Sequence, residues 1–311
     1  MRVIAVDLGA TNLRVALFED ARLVRVKTVR TPRSGPKTII ASTIASLARE
    51  VSQGGSIDAV GIASIGPLDM EKGWVVDTPN NPIRTFPLKG PLEEELGAPV
   101  YLYNDCVAAV WGEKVLGDGS RYRDLGYITI STGIGGGFIV DGRLLLGRRG
   151  NAHEIGHMVV DIDSERICGC GGRGHWEAIA SGTGIPWTAK IYAESWRGKQ
   201  TEAYKKALES RLSPEELYTA AKQGDDFAAS LAEYLNRVHA AGIASVAAAY
   251  DPEAIYMGGS IFLNNIDVIL PGIMKFLEEY AIWKPVIKKA TFGGHAGLYG
   301  AAAVALNPPT K

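Results

Sequence analysis

The chain has 311 residues, 46% of them hydrophobic and 22% charged, and a formal net charge of −1. That balance excludes a disordered chain, leaves room for two domains with separate cores, and carries no basic stripe of the kind nucleic-acid binding requires. The longest small-apolar run, "AAGIASVAAAY" at 240–250, is too short to span a bilayer, and three cysteines, an odd number, do not make a disulfide framework.

The opening "RVIAVDLGATNLRVALFEDARLVRVKTVRT" reads as strand, glycine turn, strand, Asp-containing turn, strand, with the alternation of a half-buried strand in "LRVALF". It has no apolar signal segment with a cleavage site, so a reducing, cytoplasmic setting is expected. Residues 37–51 carry apolar positions at helical spacing, and "IDAVGIASIG" is a buried strand ending in a glycine loop. The Pro- and Asn-rich stretch 67–88 is expected to be irregular. "GPLEEELG" is then a short helix, "PVYLYND" a strand and "CVAAVWGEKVLG" a helix. From residue 125, "LGYITISTGIGGGFIVDGRLLLG" repeats the order of the opening: strand, glycine turn, strand, Asp-containing turn, strand. Helices follow to about residue 249, then a strand with a glycine turn in "PEAIYMGGSI", and a strand, loop and final helix in "IKKATFGGHAGLYGAAAVAL". Two copies of one α/β unit predict two similar domains, 1–107 and 108–297, with the last helix, about 298–311, packing back on the first.

Three strands end in glycine turns, "DLGATN", "STGIGGG" and "MGGS". Glycine lets backbone N–H groups approach a phosphate, although one such turn alone is more often a plain hairpin. Two of these turns carry hydroxyls, Thr11, Ser131 and Thr132, and the first also carries Asp7, which favours a nucleotide ligand. No GxxxxGK[ST] loop occurs, and the one GxGxxG match, at 169–174, follows a cysteine and opens no convincing helix.

The stretch 153–177 holds three of the five histidines and two of the three cysteines. His157, Cys168, Cys170 and His175 can be read as one tetrahedral zinc site, and the alternative is a pair of buried free thiols beside two hydrogen-bonded imidazoles. Cys106 reads as a small core residue. Asn104 and Asp105 end a strand just before a helix, where a cap and a catalytic acid are equally good readings.

"DLGATNLR", "GIASIGPLD", "YNDCVAAVWGE", "STGIGGGFIVDGRLLLGRRGNAHEIGH" and "CGCGGRGHWE" occur in an order and spacing that resemble the ROK sugar kinases of the actin, hexokinase and Hsp70 superfamily. The resemblance covers essentially the whole chain. It implies an α/β protein of two actin-like (ribonuclease H-like) domains with a cleft between them. It implies ATP-dependent phosphorylation of a hexose, glucose first, with broad hexose acceptance, a fructose or N-acetylmannosamine kinase, or a non-catalytic sugar sensor as the alternatives. Many ROK members are repressors with a preceding helix-turn-helix, and the absence of one before the first strand favours the kinase reading. By the same resemblance Asp105 is the general base, and Gly66, Asn104, Glu154, His157 and Glu177 bind the sugar. Asp7 stands near Mg2+ through water, Thr11 and Thr132 meet phosphates, and Gly258 and Gly259 line the adenosine. Gly9, Asn12, Arg14 and Gly133 complete the nucleotide set. Zinc is structural, and the family's usual fourth ligand is a cysteine where this chain has His175. The implied partners are a hexose and ATP with Mg2+, in a homo-oligomer (dimer or tetramer), with no nucleic acid and no membrane.

Overall fold

A computed structural model describes residues 1–148 and 150–309 of the chain. Arg149 of the long "STGIGGG" motif and residues 310–311 of the expected last helix lie outside the described residues. In chain order the elements are β1 (Arg2–Leu8), β2 (Asn12–Glu19), β3 (Arg22–Arg30), α1 (Ile39–Ser52), β4 (Ala59–Ser64), β5 (Leu68–Asp69), β6 (Trp74–Val75), β7 (Phe86–Pro87), α2 (Lys89–Leu96), β8 (Val100–Asn104) and α3 (Asp105–Val115). Then come β9 (Leu125–Ile130), β10 (Ile134–Val140), β11 (Arg143–Leu144), α4 (Trp176–Ala180), α5 (Ile185–Ser195), α6 (Glu202–Leu208), α7 (Pro214–Lys222) and α8 (Asp226–Tyr250). The chain closes with β12 (Ala254–Gly258), α9 (Ser260–Asn264), α10 (Ile266–Tyr280), β13 (Val286–Lys289) and α11 (Ala296–Leu306).

Among the described residues one sheet has the order β3-β2-β1-β4-β8 and another the order β11-β10-β9-β12-β13. Each starts from an antiparallel strand-turn-strand-turn-strand unit, so the repeat in the sequence is a repeat of topology. By internal packing the chain forms two compact units. The first holds Met1–Tyr127, Gly137–His153 and the described residues from 290 on; the second holds Ile128–Gly136 and Glu154–Lys289. Residue 107, where the sequence suggested a boundary, lies inside α3, which belongs to the first unit throughout.

In the first unit both faces of the sheet are covered, which is why β1 reads as a nearly unbroken apolar run. Ile4, Val6 and Leu8 point to the side of α1 and α2 and pack with Ile40, Ile44 and Leu92. Val3 and Ala5 point the other way, to Ala108 of α3 and to Leu298, Ala301 and Ala302 of α11. That second face is built largely of alanine, so the helices lie close to the sheet. The stretch 67–88 departs from the expectation of irregular chain. β5, β6 and β7 form a small antiparallel sheet, with Leu68 opposite Val75 and Val75 opposite Phe86. All three side chains are buried in the α1-side core. Two-residue strands are too short to show a period. In the second unit α8 runs 25 residues from an Asp225 cap that accepts from Ala228 N–H. No helix among the described residues is long and apolar enough to cross a membrane.

Candidate active site and metal cluster

Parallel pairing in the first unit brings the carboxyl ends of β1, β4 and β8 into one row. Leu8 is in register with Ser64, and Ser64 with Asn104. Loops at that edge of an open α/β sheet are where ligands bind. Asp7, Gly66, Asn104 and Asp105 all stand there. Arg14, opposite Asp7 in the β1–β2 ladder, donates from Nη1 to Asp7 Oδ2 at 3.1 Å and to the Gly294 carbonyl at 3.1 Å. Burial pushes the Asp7 carboxyl up to about 6; Arg14 opposes the rise and the neighbouring charge of Asp105 adds to it. The β1–β2 turn is closed by Gly9 N–H to the Asn12 carbonyl at 3.0 Å, and Thr31 ties it down through its hydroxyl to the Gly9 carbonyl at 2.7 Å. Thr11 and Asn12 are left exposed at the tip.

At the end of β8 the capping role falls to one of the two residues. Asn104 is the cap of α3, its Oδ1 accepting from Cys106 N–H at 2.9 Å and Val107 N–H at 3.4 Å. Its Nδ2 is the side-chain atom facing Gly66. Asp105 is the first helical residue, and its Oδ1 accepts from Cys106 N–H at 2.8 Å. A carboxylate at a helix N-terminus is favoured by the free N–H groups there. Cys106 behind it is buried, as expected of a small core residue.

In the second unit the turn after β9 is held by Ser131 N–H to the Gly133 carbonyl at 2.9 Å. The loop between α4 and α5 docks on it: Gly182 N–H donates to the Ser131 carbonyl at 2.8 Å and Thr183 N–H to the Thr132 carbonyl at 3.1 Å. Ser131 and Ser260 share a hydrogen bond at 3.0 Å. Gly258 ends β12, and Gly259, at φ +89°, passes so close to the Ile130 backbone that a side chain there would collide with it. Thr132 is exposed.

Glu177, in the first turn of α4, accepts from Ile134 N–H at 2.9 Å through Oε2. A Cβ on Gly133 would stand 2.5 Å from that oxygen. Gly133 therefore clears the space in which Glu177 sits.

Backbone bonds bring the two ends of the Cys/His stretch together. Val159 bridges His175, Trp176 N–H donates to the Met158 carbonyl at 2.9 Å, and Cys168 N–H to the Gly172 carbonyl at 2.8 Å. As a result the ligand atoms of His157, Cys168, Cys170 and His175 all lie within 4.8 Å of one another. Cys168 Sγ is 3.7 Å from His157 Nδ1, and Cys170 Sγ is 3.3 Å from His175 Nδ1. Tetrahedral bonds of about 2.0–2.3 Å separate ligand atoms by roughly 3.3–3.8 Å, so the four residues fit one divalent ion of zinc type. Burial, then the charge of His157, pushes the His175 imidazole down toward the neutral form a metal takes, against the pull of Glu177. Burial first, and the neighbouring Cys170 sulfur, hold the Cys168 thiol above its ordinary range; the Cys170 N–H opposes them. A cation is what would ionise that thiol. His157 turns its other nitrogen, Nε2, to Glu154 Oε2 at 3.6 Å. His153 points inward: it is buried, and Nε2 donates to the Gly150 carbonyl at 2.7 Å.

The ROK family model matches residues 3–307. The chain belongs to the ROK family. It is 46% identical to a glucokinase of Aeropyrum pernix over 313 residues, 99% of this chain and 97% of that one. A ROK family glucokinase from Streptomyces griseus, solved in complex with glucose and AMPPNP, superposes with a TM-score of 0.79 at 32% identity, covering 98% of this chain and 99% of that one. A ROK hexokinase from Thermus thermophilus gives 0.81 at 32% identity, covering 98% of each chain.

Within this ROK protein the predicted residues fall into local groups. Asp7, Gly9, Thr11, Asn12, Arg14, Gly66, Asn104 and Asp105 gather at the strand ends of the first unit; Thr132, Gly133, Gly258 and Gly259 form the paired turns of the second, and Glu154, His157 and Glu177 border its Cys/His cluster. Sequence reasoning passed over Thr183 and Ser260, whose hydroxyls join the turn after β9. Their signal was present in "SGTG" at 181–184 and in the serine that follows Gly259.

Proposed function

We propose that the protein is an ATP-dependent glucokinase that transfers the γ-phosphoryl group of ATP to the 6-hydroxyl of glucose. The observation that carries this reading is the Asp105 carboxylate, seated on the first turn of α3 and electrostatically coupled to Asp7 at the end of β1. Asp105 takes the proton of the 6-hydroxyl while that oxygen attacks the γ-phosphorus. The bond from phosphorus to the bridging oxygen breaks, and ADP leaves. Phosphoryl transfer asks little else of a protein than positioning, charge neutralisation and this acceptor. Glu154, Glu177, Asn104 and His157 supply acceptors and donors for the remaining hydroxyls, and Gly66 keeps the chain beside Asn104 without a side chain. The hydroxyls and N–H groups of Thr11 and Thr132, with Gly9, Asn12, Arg14 and Gly133 in the turns, serve the phosphates, and Gly258 and Gly259 serve the adenosine. Magnesium, when bound, neutralises phosphate charge, and Asp7 would hold it through water.

The Cys/His cluster supports structural zinc held by His157, Cys168, Cys170 and His175. Its contribution is to fix the loop that carries Glu154 and leads into α4, and it takes no part in the transfer. A homo-oligomer and a cytoplasmic setting are part of the same reading. The 46% identity to a glucokinase supports glucose as the sugar. The likeness to a protein described as a hexokinase supports a second reading, a broader hexose acceptance. A coupled assay of ADP release and sugar 6-phosphate formation across glucose, mannose, fructose and N-acetylmannosamine tests both. Glucose should have the highest kcat/KM, and no turnover with any hexose would leave the sensor reading in its place.

A further inference from the structure

Trp176 is wholly buried, and its indole N–H donates to Nδ1 of His239 at 3.0 Å. The two rings meet edge to face, centroids 6.0 Å apart. His239 lies on α8 and is itself fully buried; burial drives its imidazole down to about 3, so it is neutral throughout the working range of an enzyme. Because Nδ1 accepts, the ring hydrogen is on Nε2, which has no partner among the described residues. One turn further along α8, Gly242 leaves room for the indole; any Cβ there would run into it. α8 thus offers Trp176 a notch and an acceptor on one face.

A buried imidazole with one nitrogen unpaired costs free energy that Leu or Phe would not. Packing alone gives no reason for it. What the acceptor at 239 does is fix the indole in both position and rotation, and the residues flanking that indole are the cluster residue His175 and Glu177. The main chain is pinned at the same place by Trp176 N–H to the Met158 carbonyl.

We propose that His239 is a positioning residue of the sugar site: by holding the Trp176 indole N–H it sets the first turn of α4, and with it the direction of the Glu177 carboxylate. This rests on the reading of Glu177 as a sugar contact. His239 touches no substrate and acts only through Trp176.

The test uses the shape of side-chain amides. In His239→Asn the amide oxygen falls close to where Nδ1 stood; in His239→Gln the amide reaches to the place of Nε2 and misses the indole. His239→Phe keeps a ring without an acceptor. Steady-state kinetics on the full chain, with folding checked by thermal melting, should show glucose KM raised about tenfold or more in the Gln and Phe variants, with ATP KM within about twofold of the parent and the Asn variant close to the parent. A folded Gln or Phe variant with the parent's glucose KM overturns the proposal, as does an Asn variant as impaired as Gln. Should the Phe variant not fold, the Asn and Gln pair decides. Trp176→Phe provides the second arm: combined with His239→Phe it should raise glucose KM no further than it does alone, and multiplying effects would show that His239 does not act through the indole. Glu177→Gln separates the two readings. If it leaves glucose KM unchanged, the sugar-site reading fails and takes the proposal with it; if it raises KM while the His239 variants do not, the positioning role alone fails.

Discussion

Replacing Gly133 by alanine places a methyl carbon 2.5 Å from Glu177 Oε2. Ordinary contact begins near 3.4 Å, so the carboxylate must retreat by about 0.9 Å or the turn must open. Either movement takes the Ile134 N–H bond from 2.9 Å beyond the range in which such bonds hold, roughly 2.7–3.2 Å. A hydrogen bond to a charged group contributes about 1.5–3 kcal/mol. If that interaction is what holds Glu177 toward the sugar, its loss weakens glucose binding by about 10- to 150-fold, at about 1.4 kcal/mol per tenfold. Steady-state kinetics with glucose varied at saturating ATP, and then with ATP varied at saturating glucose, reads the two sides separately. Gly133→Ala should raise glucose KM by that factor, and Glu177→Gln should move it in the same direction. A Gly133→Ala enzyme whose ATP KM rises while glucose KM stays within about twofold would refute the steric reasoning and leave Gly133 to the phosphates alone.

The purified protein should contain one zinc per chain by elemental analysis, and Cys168→Ala should lose metal, thermal stability and activity together, because metal binding at such a site is folding free energy; fully active protein without zinc would remove the metal from the account. His175→Ala should also lower zinc occupancy, and full occupancy would mean that another group closes the shell. The pH dependence turns on Asp7, whose folded carboxyl sits at about 6 because of its burial. Its folded pKa lies above that of an unfolded aspartate, so protonation as pH falls through 6 favours the fold while removing the negative charge that serves magnesium. KM for Mg-ATP should therefore rise between pH 7 and 5 with circular dichroism unchanged, and a flat KM over that range would contradict the role of Asp7.

The fold was legible wherever an element was long enough to show a period. β1 to β3, α1, β4, β8, α3 and the repeat at β9 to β11 stand where alternation and glycine turns put them. The stretch 67–88 was not, because β5, β6 and β7 are two residues each and become strands only by pairing with one another. At the site, residue types suggested a chemistry but not how neighbouring side chains are used in the local structure. Asn104 and Asp105 look equally good as a cap until the backbone shows Asn104 accepting from the helix and Asp105 already inside it. That Gly133 also makes room for the Glu177 oxygen, 44 residues on in the chain, shows only in the packed structure. His153, next to Glu154 in a run of reactive side chains, turns inward to the Gly150 carbonyl, which only the packed chain reveals. His239 gave no signal in the sequence, being one of several polar residues of α8, with Glu233, Asn236 and Arg237 close by.

Asp105→Asn is the most direct trial of the mechanism. The amide preserves the shape of the side chain and keeps an oxygen that can accept from Cys106 N–H, so fold and glucose affinity, read by calorimetry, should be retained. With no carboxylate to take the proton of the 6-hydroxyl, kcat for glucose 6-phosphate formation should fall by about 10²–10⁴-fold. A folded, glucose-binding Asp105→Asn enzyme with kcat close to the parent's would contradict Asp105 as the general base and the mechanism built on it.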